Sequence, residues 1–262
     1  MAAARSNSPS KSIGWTWPLV MTFIRLPLIL LVNAGVILAL QAAGFPVGFG
    51  TGALWYPLSV SLVNVACLAL LLWRGRVENL QWGTIIGFER RRLLRDLGWG
   101  LLWSLILFVL MMGGVTAAVL TVRAVAGLTL QEIYAGTADF SVELPAWLTI
   151  GMVVVSGVLF PILNAPVEEL QYRAYAQLRL TAISRNKWIG IFIPALGFGL
   201  QHVAFAYSPY AAPAFAAGFF LWGLGAGVIL RWQQRLAPLI VAHLISNLSF
   251  GIVPLLFVLS GA

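Results

Sequence analysis

Charge is what this chain has least of. Asp, Glu, Lys and Arg make up only 9% of its 262 residues, and eight of these are acidic. A soluble domain carries roughly 25% charged residues, so a water-soluble globule is excluded. In its place stand 60% hydrophobic residues and a mean hydropathy of +0.92. Cysteine is limited to Cys67, in an apolar run, which removes any internal disulfide or thiolate metal cluster and leaves a small core residue. Histidine occurs twice. The net charge of +8 comes from basic residues between apolar stretches, where membrane orientation accounts for them and no nucleic-acid partner is expected. No internal repeat is visible, unlike the paired halves common in transporters.

What is abundant is apolar sequence in runs of about 20 residues, the length that crosses a bilayer. Such runs fall at 18–42, 53–73, 97–122, 146–169, 188–208, 213–231 and 236–259. They predict an all-α, polytopic helical membrane protein of about seven, or eight, transmembrane helices. Segment 74–96 mixes arginines with apolar residues and reads as basic and interfacial. Residues 1–12 are polar, carry no cleavage pattern, and read as a disordered cytoplasmic tail. With the N-terminus inside, cytoplasmic segments hold all of the sixteen basic residues except Arg123, outside, and Arg25, within the first span and near enough to its end to snorkel. Spans in 13–145 read as scaffold; the singular polar chemistry lies in 146–262.

Ionisable side chains inside apolar segments are functional-site candidates by default. The fourth run continues into Asn164, Ala165, Pro166, Val167, Glu168, Glu169, Leu170, Gln171, Tyr172 and Arg173. On a helix, residues four apart share a face and neighbours diverge by about 100°. Glu169 and Arg173 are therefore natural ion-pair partners, and Glu168 faces elsewhere with Asn164, Gln171 and Tyr172. That division leaves Glu168 free for chemistry. In the fifth run Phe198 and His202 share a face, Gln201 points off it, and Gly197 and Gly199 permit a close helix approach. In the last run His243 and Asn247 form one polar strip, with Ser246 nearby. Carboxylate, imidazoles and amide on three helices suit the activation of water and the binding of an oxyanion.

These elements, Glu168-Glu169-Leu170-Gln171-Tyr172-Arg173, Phe198-Gly199-Leu200-Gln201-His202 and His243-Leu244-Ile245-Ser246-Asn247, resemble the ordered motifs of the CAAX-processing and bacteriocin-processing (CPBP, or Abi) family. The resemblance covers about 160–250 and departs at Tyr172-Arg173-Ala174, where a common family form has Phe-Arg-Gly. It implies an intramembrane endopeptidase whose core is 146–262. Glu168 and His202 would activate water, His243 and Asn247 would bind the oxyanion, and Glu169, Arg173 and Phe198 would support the site. The implied substrate is a membrane-embedded or lipidated peptide of CaaX or other hydrophobic type. Two chemistries stay open: a divalent metal such as zinc on Glu168, His202 and His243, or water activated with no metal. Other functions weighed are a catalytically silent adaptor or bacteriocin-immunity protein of the same family and a proton-coupled transporter. Short loops and a basic tail are compatible with a bacterial inner membrane and a site reached from the cytoplasm. One condition applies. At about 1.5 Å per residue, straight helices entering at Trp147, Trp188 and Leu236 would leave Glu168 near the cytoplasmic surface, with His243 about 10 Å and His202 about 20 Å deeper. Tilt, a kink at Pro166 or helices longer than the bilayer must close that gap.

Overall fold

The computed structural model describes residues 14–48, 51–135, 144–206 and 208–260; the expected tail at 1–12 lies outside them. Among the described residues the regular structure is entirely helical. The elements are α1 (Thr16–Phe23), α2 (Arg25–Ala42), α3 (Gly52–Val77), α4 (Trp82–Ile86), α5 (Leu93–Ala126), α6 (Leu130–Ile133), α7 (Ala146–Val154), α8 (Phe160–Glu168), α9 (Leu178–Ser184), α10 (Lys187–Gln201), α11 (Ala212–Gln233) and α12 (Ala237–Ser260). Two π-helical stretches, Val155–Leu159 and Glu169–Gln177, join α7, α8 and α9 into one continuous helix.

Among the described residues six helices are long and apolar enough to cross a membrane, and a seventh, shorter apolar stretch, Ala237–Ser249, opens α12. Their outer faces carry large apolar residues such as Leu94, Val109 and Val125, while the buried positions include Arg25, Asn64, Glu168, Glu169, Arg173 and both histidines. Lipid offers no partner to a polar group, so these side chains gather inward and satisfy one another. The basic segment after α3 folds back onto the core, with Trp82, Ile85 and Ile86 against a cluster that includes Trp103 and Trp222.

Three local devices position the site. Arg185, in the left-handed region at φ 54°, breaks the chain after α9, and the Asn186 side chain caps α10 by accepting the Trp188 amide at 2.9 Å. Gly197 faces α1 so closely that a Cβ there would run into the backbone carbonyl of Thr22. Just before α12, Arg235 donates to both oxygens of Asp96 on α5, at 2.8 Å each, and to the Gly87 carbonyl.

The fourth span does not end at the glutamates as expected. It is a 39-residue helix, Ala146–Ser184, so Glu168 lies about 24 Å from its end by helical rise. His202 lies about 22 Å from the start of α10 by the same rise, and the hairpin between them sets the two residues level. The expected depth mismatch came from reading Pro166 and the charges as a helix terminus. Arg173, counted among cytoplasmic residues, is accordingly buried in the helix interior at 2% exposure.

Candidate active site

Glu168 closes α8, and Glu169 opens the π stretch that follows. Pro166 has no N–H to donate to the preceding turn, and the backbone beyond Glu168 widens into i→i+5 geometry, a form that recurs at functional sites. The two carboxylates diverge, as the sequence predicts, but both partner sets are richer than expected. Glu168 is not free. Its Oε1 accepts from Arg25 Nη2 at 2.9 Å and from Gln201 Nε2 at 2.8 Å. Its Oε2 has no hydrogen-bond partner among the described residues and stands 3.4 Å from His243 Nε2. Glu169 does meet Arg173, at 3.5 Å between Oε2 and Nε. Its other oxygen, Oε1, accepts from His243 Nδ1 at 2.9 Å, so Glu169 serves the histidine as well as the arginine.

Both imidazoles have a defined tautomer at one nitrogen. His202 Nδ1 lies 2.7 Å from the Phe198 carbonyl; a carbonyl only accepts, so Nδ1 carries the proton and Nε2 is free to accept. The His202 ring also stacks on Phe219, 5° from parallel. By the same logic His243 Nδ1–H donates to Glu169, and its Nε2 faces Glu168. Nε2 of His243 and Oε2 of Glu168 thus face each other at 3.4 Å. Phe198 stands between the histidines, 4.8 Å from His202 and 5.9 Å from His243 by ring centres, with the Arg173 guanidinium 4.4 Å over its face.

Glu168, His202, His243 and Asn247 line one cavity of about 240 Å³, with Phe198 and Ser246 in the same wall. Most of the lining is apolar, from Ile29, Phe160 and Phe219 among others. The Asn247 amide nitrogen is buried without a partner among the described residues. A donor left unpaired in an apolar wall costs free energy until an acceptor arrives. A basic oxygen, two imidazoles and an unpaired amide donor at one apolar cavity can together deprotonate water and accept a developing oxyanion.

Two residues read otherwise from the sequence belong to this site. Arg25 does not snorkel; it is fully buried, and its guanidinium reaches Asn64, Asn164, Gln171, Glu168 and Gln201. Gln201, expected off the His202 face, turns its oxygen to Arg25 at 2.6 Å and its nitrogen to Glu168. An Arg inside an apolar run was the available signal for the first. Among the described residues no three His, Cys, Asp or Glu side chains form a metal-ligand set. As placed, Glu168, His202 and His243 do not make one, and Glu168 already has a guanidinium as countercharge.

Residues 147–249 match the sequence model of the family described as Rce1-like: Type II CAAX prenyl endopeptidase Rce1-like. No curated protein and no solved structure matches the chain.

Proposed function

We propose, on the match of residues 147–249 to the Rce1-like family of type II CAAX prenyl endopeptidases, that the chain is a member of that family and hydrolyses a peptide bond of a membrane-embedded or lipidated peptide by carboxylate-activated water. At the level of the family it is an intramembrane CAAX-type protease held in the bilayer by its apolar helices. The substrate enters from the cytoplasmic side of a bacterial inner membrane in this reading, with the basic segments on that side.

The observation that carries the mechanism is the shared cavity of Glu168, His202, His243 and Asn247. Water held by Glu168 Oε2 and His202 Nε2 gives its proton to Glu168 as the hydroxyl oxygen attacks the carbonyl carbon. The C=O π pair moves to oxygen, and the oxyanion is received by Asn247 Nδ2–H and by His243 from Nε2 in its doubly protonated form. Nδ1–H of that ring is committed to Glu169. Collapse of the tetrahedral intermediate breaks the C–N bond, and Glu168 returns the proton to the leaving amine.

The test is cleavage of a farnesylated CaaX peptide and an unprenylated hydrophobic control by the full chain in proteoliposomes. Glu168→Gln is expected to abolish turnover. Undiminished cleavage by that variant would sink the mechanism. A parent inactive on both peptides would favour an adaptor.

A further inference from the structure

We infer that Arg25 is the positioning residue of this reaction, gripping one oxygen of Glu168 so that the other alone is presented to water. This rests on the assignment of Glu168 as the base. Arg25 lies on α2, outside the family-matched segment, and in a region that reads as scaffold from sequence.

The geometry is asymmetric. An arginine free to pair with a carboxylate commonly does so with two parallel bonds, one to each oxygen, as Arg235 does with Asp96. Arg25 does not. Its Nη2 and the amide of Gln201 converge on Oε1, while Oε2 has no hydrogen bond among the described residues. A carboxylate held by two donors on one oxygen cannot exchange its oxygens without breaking both bonds. Oε2 therefore faces His243 and the cavity in a single orientation.

The grip is itself braced. Nε of Arg25 donates to Gln201 Oε1 at 2.6 Å, and Nη2 also reaches Asn64 at 2.9 Å and Asn164 at 3.2 Å. Asn64 in turn donates to Asn164 at 3.1 Å, and Gln171 Nε2 anchors to the Met21 carbonyl at 2.6 Å. These partners come from α3, α8, the π stretch and α10, so the guanidinium is fixed by four elements before it touches Glu168. Only a planar fork of several N–H groups serves so many acceptors at once; a lysine ammonium offers three donors from a single point. The scaffold helices thus supply a working part of the site.

Turnover of the farnesylated peptide is compared in the parent, Arg25→Lys and Glu168→Gln. Lysine keeps the countercharge and loses the fork. Arg25→Lys should fold, bind with KM within about twofold, and lose about 100-fold in kcat, as a small misplacement of a reacting group does. Parental kcat in Arg25→Lys, or a raised KM with kcat unchanged, overturns the proposal. Cleavage surviving in Glu168→Gln instead overturns the base assignment, so the two failures are distinct. A second measurement needs no substrate: thermal unfolding of Arg25→Met, Glu168→Gln and the double variant. Arg25→Met strands a buried carboxylate, and stability or folding should return in the double variant. Losses that simply add show no coupling and overturn the proposal.

Discussion

Glu169 accepts the Nδ1–H of His243 at 2.9 Å while its neighbour Glu168 stands 3.4 Å from the other nitrogen of the same ring. One imidazole is thus bracketed by adjacent carboxylates with different duties. Glu169 sets the ring's orientation and tautomer, and Glu168 opens on the cavity where the proposed mechanism places the water.

Removing the orienting carboxylate should therefore slow the reaction without emptying the site. Glu169→Gln leaves an amide that can still accept the Nδ1–H, but it loses the charge beside Arg173 and the ring. A fall in kcat of about 100-fold with little change in KM is expected. Combined with His243→Ala, it should cost no more than His243→Ala alone. Additive losses measured in proteoliposomes would separate Glu169 from the histidine.

Asn247 offers the opposite test. Its amide nitrogen has no partner among the described residues of the resting protein, so Asn247→Ala should change the unfolding midpoint little. Turnover should still fall by about 100- to 1,000-fold, the usual loss for one oxyanion donor. A stability loss that tracks the activity loss would mark the residue as packing.

The close approach at Gly197 predicts damage at a distance. Gly197→Ala must push α10 away from Thr22, at a cost of about 1–3 kcal/mol for overpacking. The shift should also draw Gln201 from Arg25 and lower kcat. Thermal unfolding alongside a kinetic assay checks both; parental values in both would contradict the packing.

A metal-free reading predicts indifference to chelators. Protein treated with a strong zinc and iron chelator, then assayed in its presence, should keep parental turnover. Loss of activity restored by one added divalent ion would overturn it.

Stability should carry a distinct acid limb from Glu78, just past the end of α3. Burial alone would raise its carboxyl, but hydrogen bonds from Tyr175 and Arg74 and the charge of Arg179, 2.7 Å away, outweigh it and hold the group below the usual carboxylate range. A group depressed on folding contributes stability that is complete above its unfolded value and is lost as pH falls through its folded one. Unfolding midpoints followed from about pH 7 to about pH 3 should drop in that window, and Glu78→Gln should flatten the drop. An unchanged slope would remove Glu78 from the account.

The spans and the inward residues were legible because lipid leaves so little choice. A charge or an imidazole inside an apolar run has to face protein, which is how Glu168, His202, His243 and Asn247 declared themselves before any coordinates. What stayed hidden depended on where helices stop. The π stretch from Glu169 to Gln177 has no strong sequence mark, and Pro166 beside two charges reads as a terminus. Moving that end to Ser184 relocates Arg173 to the interior and closes the apparent depth gap. Arg25 was misplaced by the same kind of error, since its distance from a supposed helix end invited a surface role. Gln201 does point off the face that Phe198 and His202 present to the cavity, and its contact with Glu168 went unread because face arguments drawn on one helix ignore the helix opposite.

The clamp of Arg235 on Asp96 lies eight residues ahead of His243 and fixes the start of α12 to α5. A helix that meets a bilayer of the wrong thickness usually adjusts by tilting or sliding. With α12 pinned to its neighbour, sliding alone is closed to it, and the two helices must tilt together. The height of His243 against α5 is then set by the protein and not by lipid chain length.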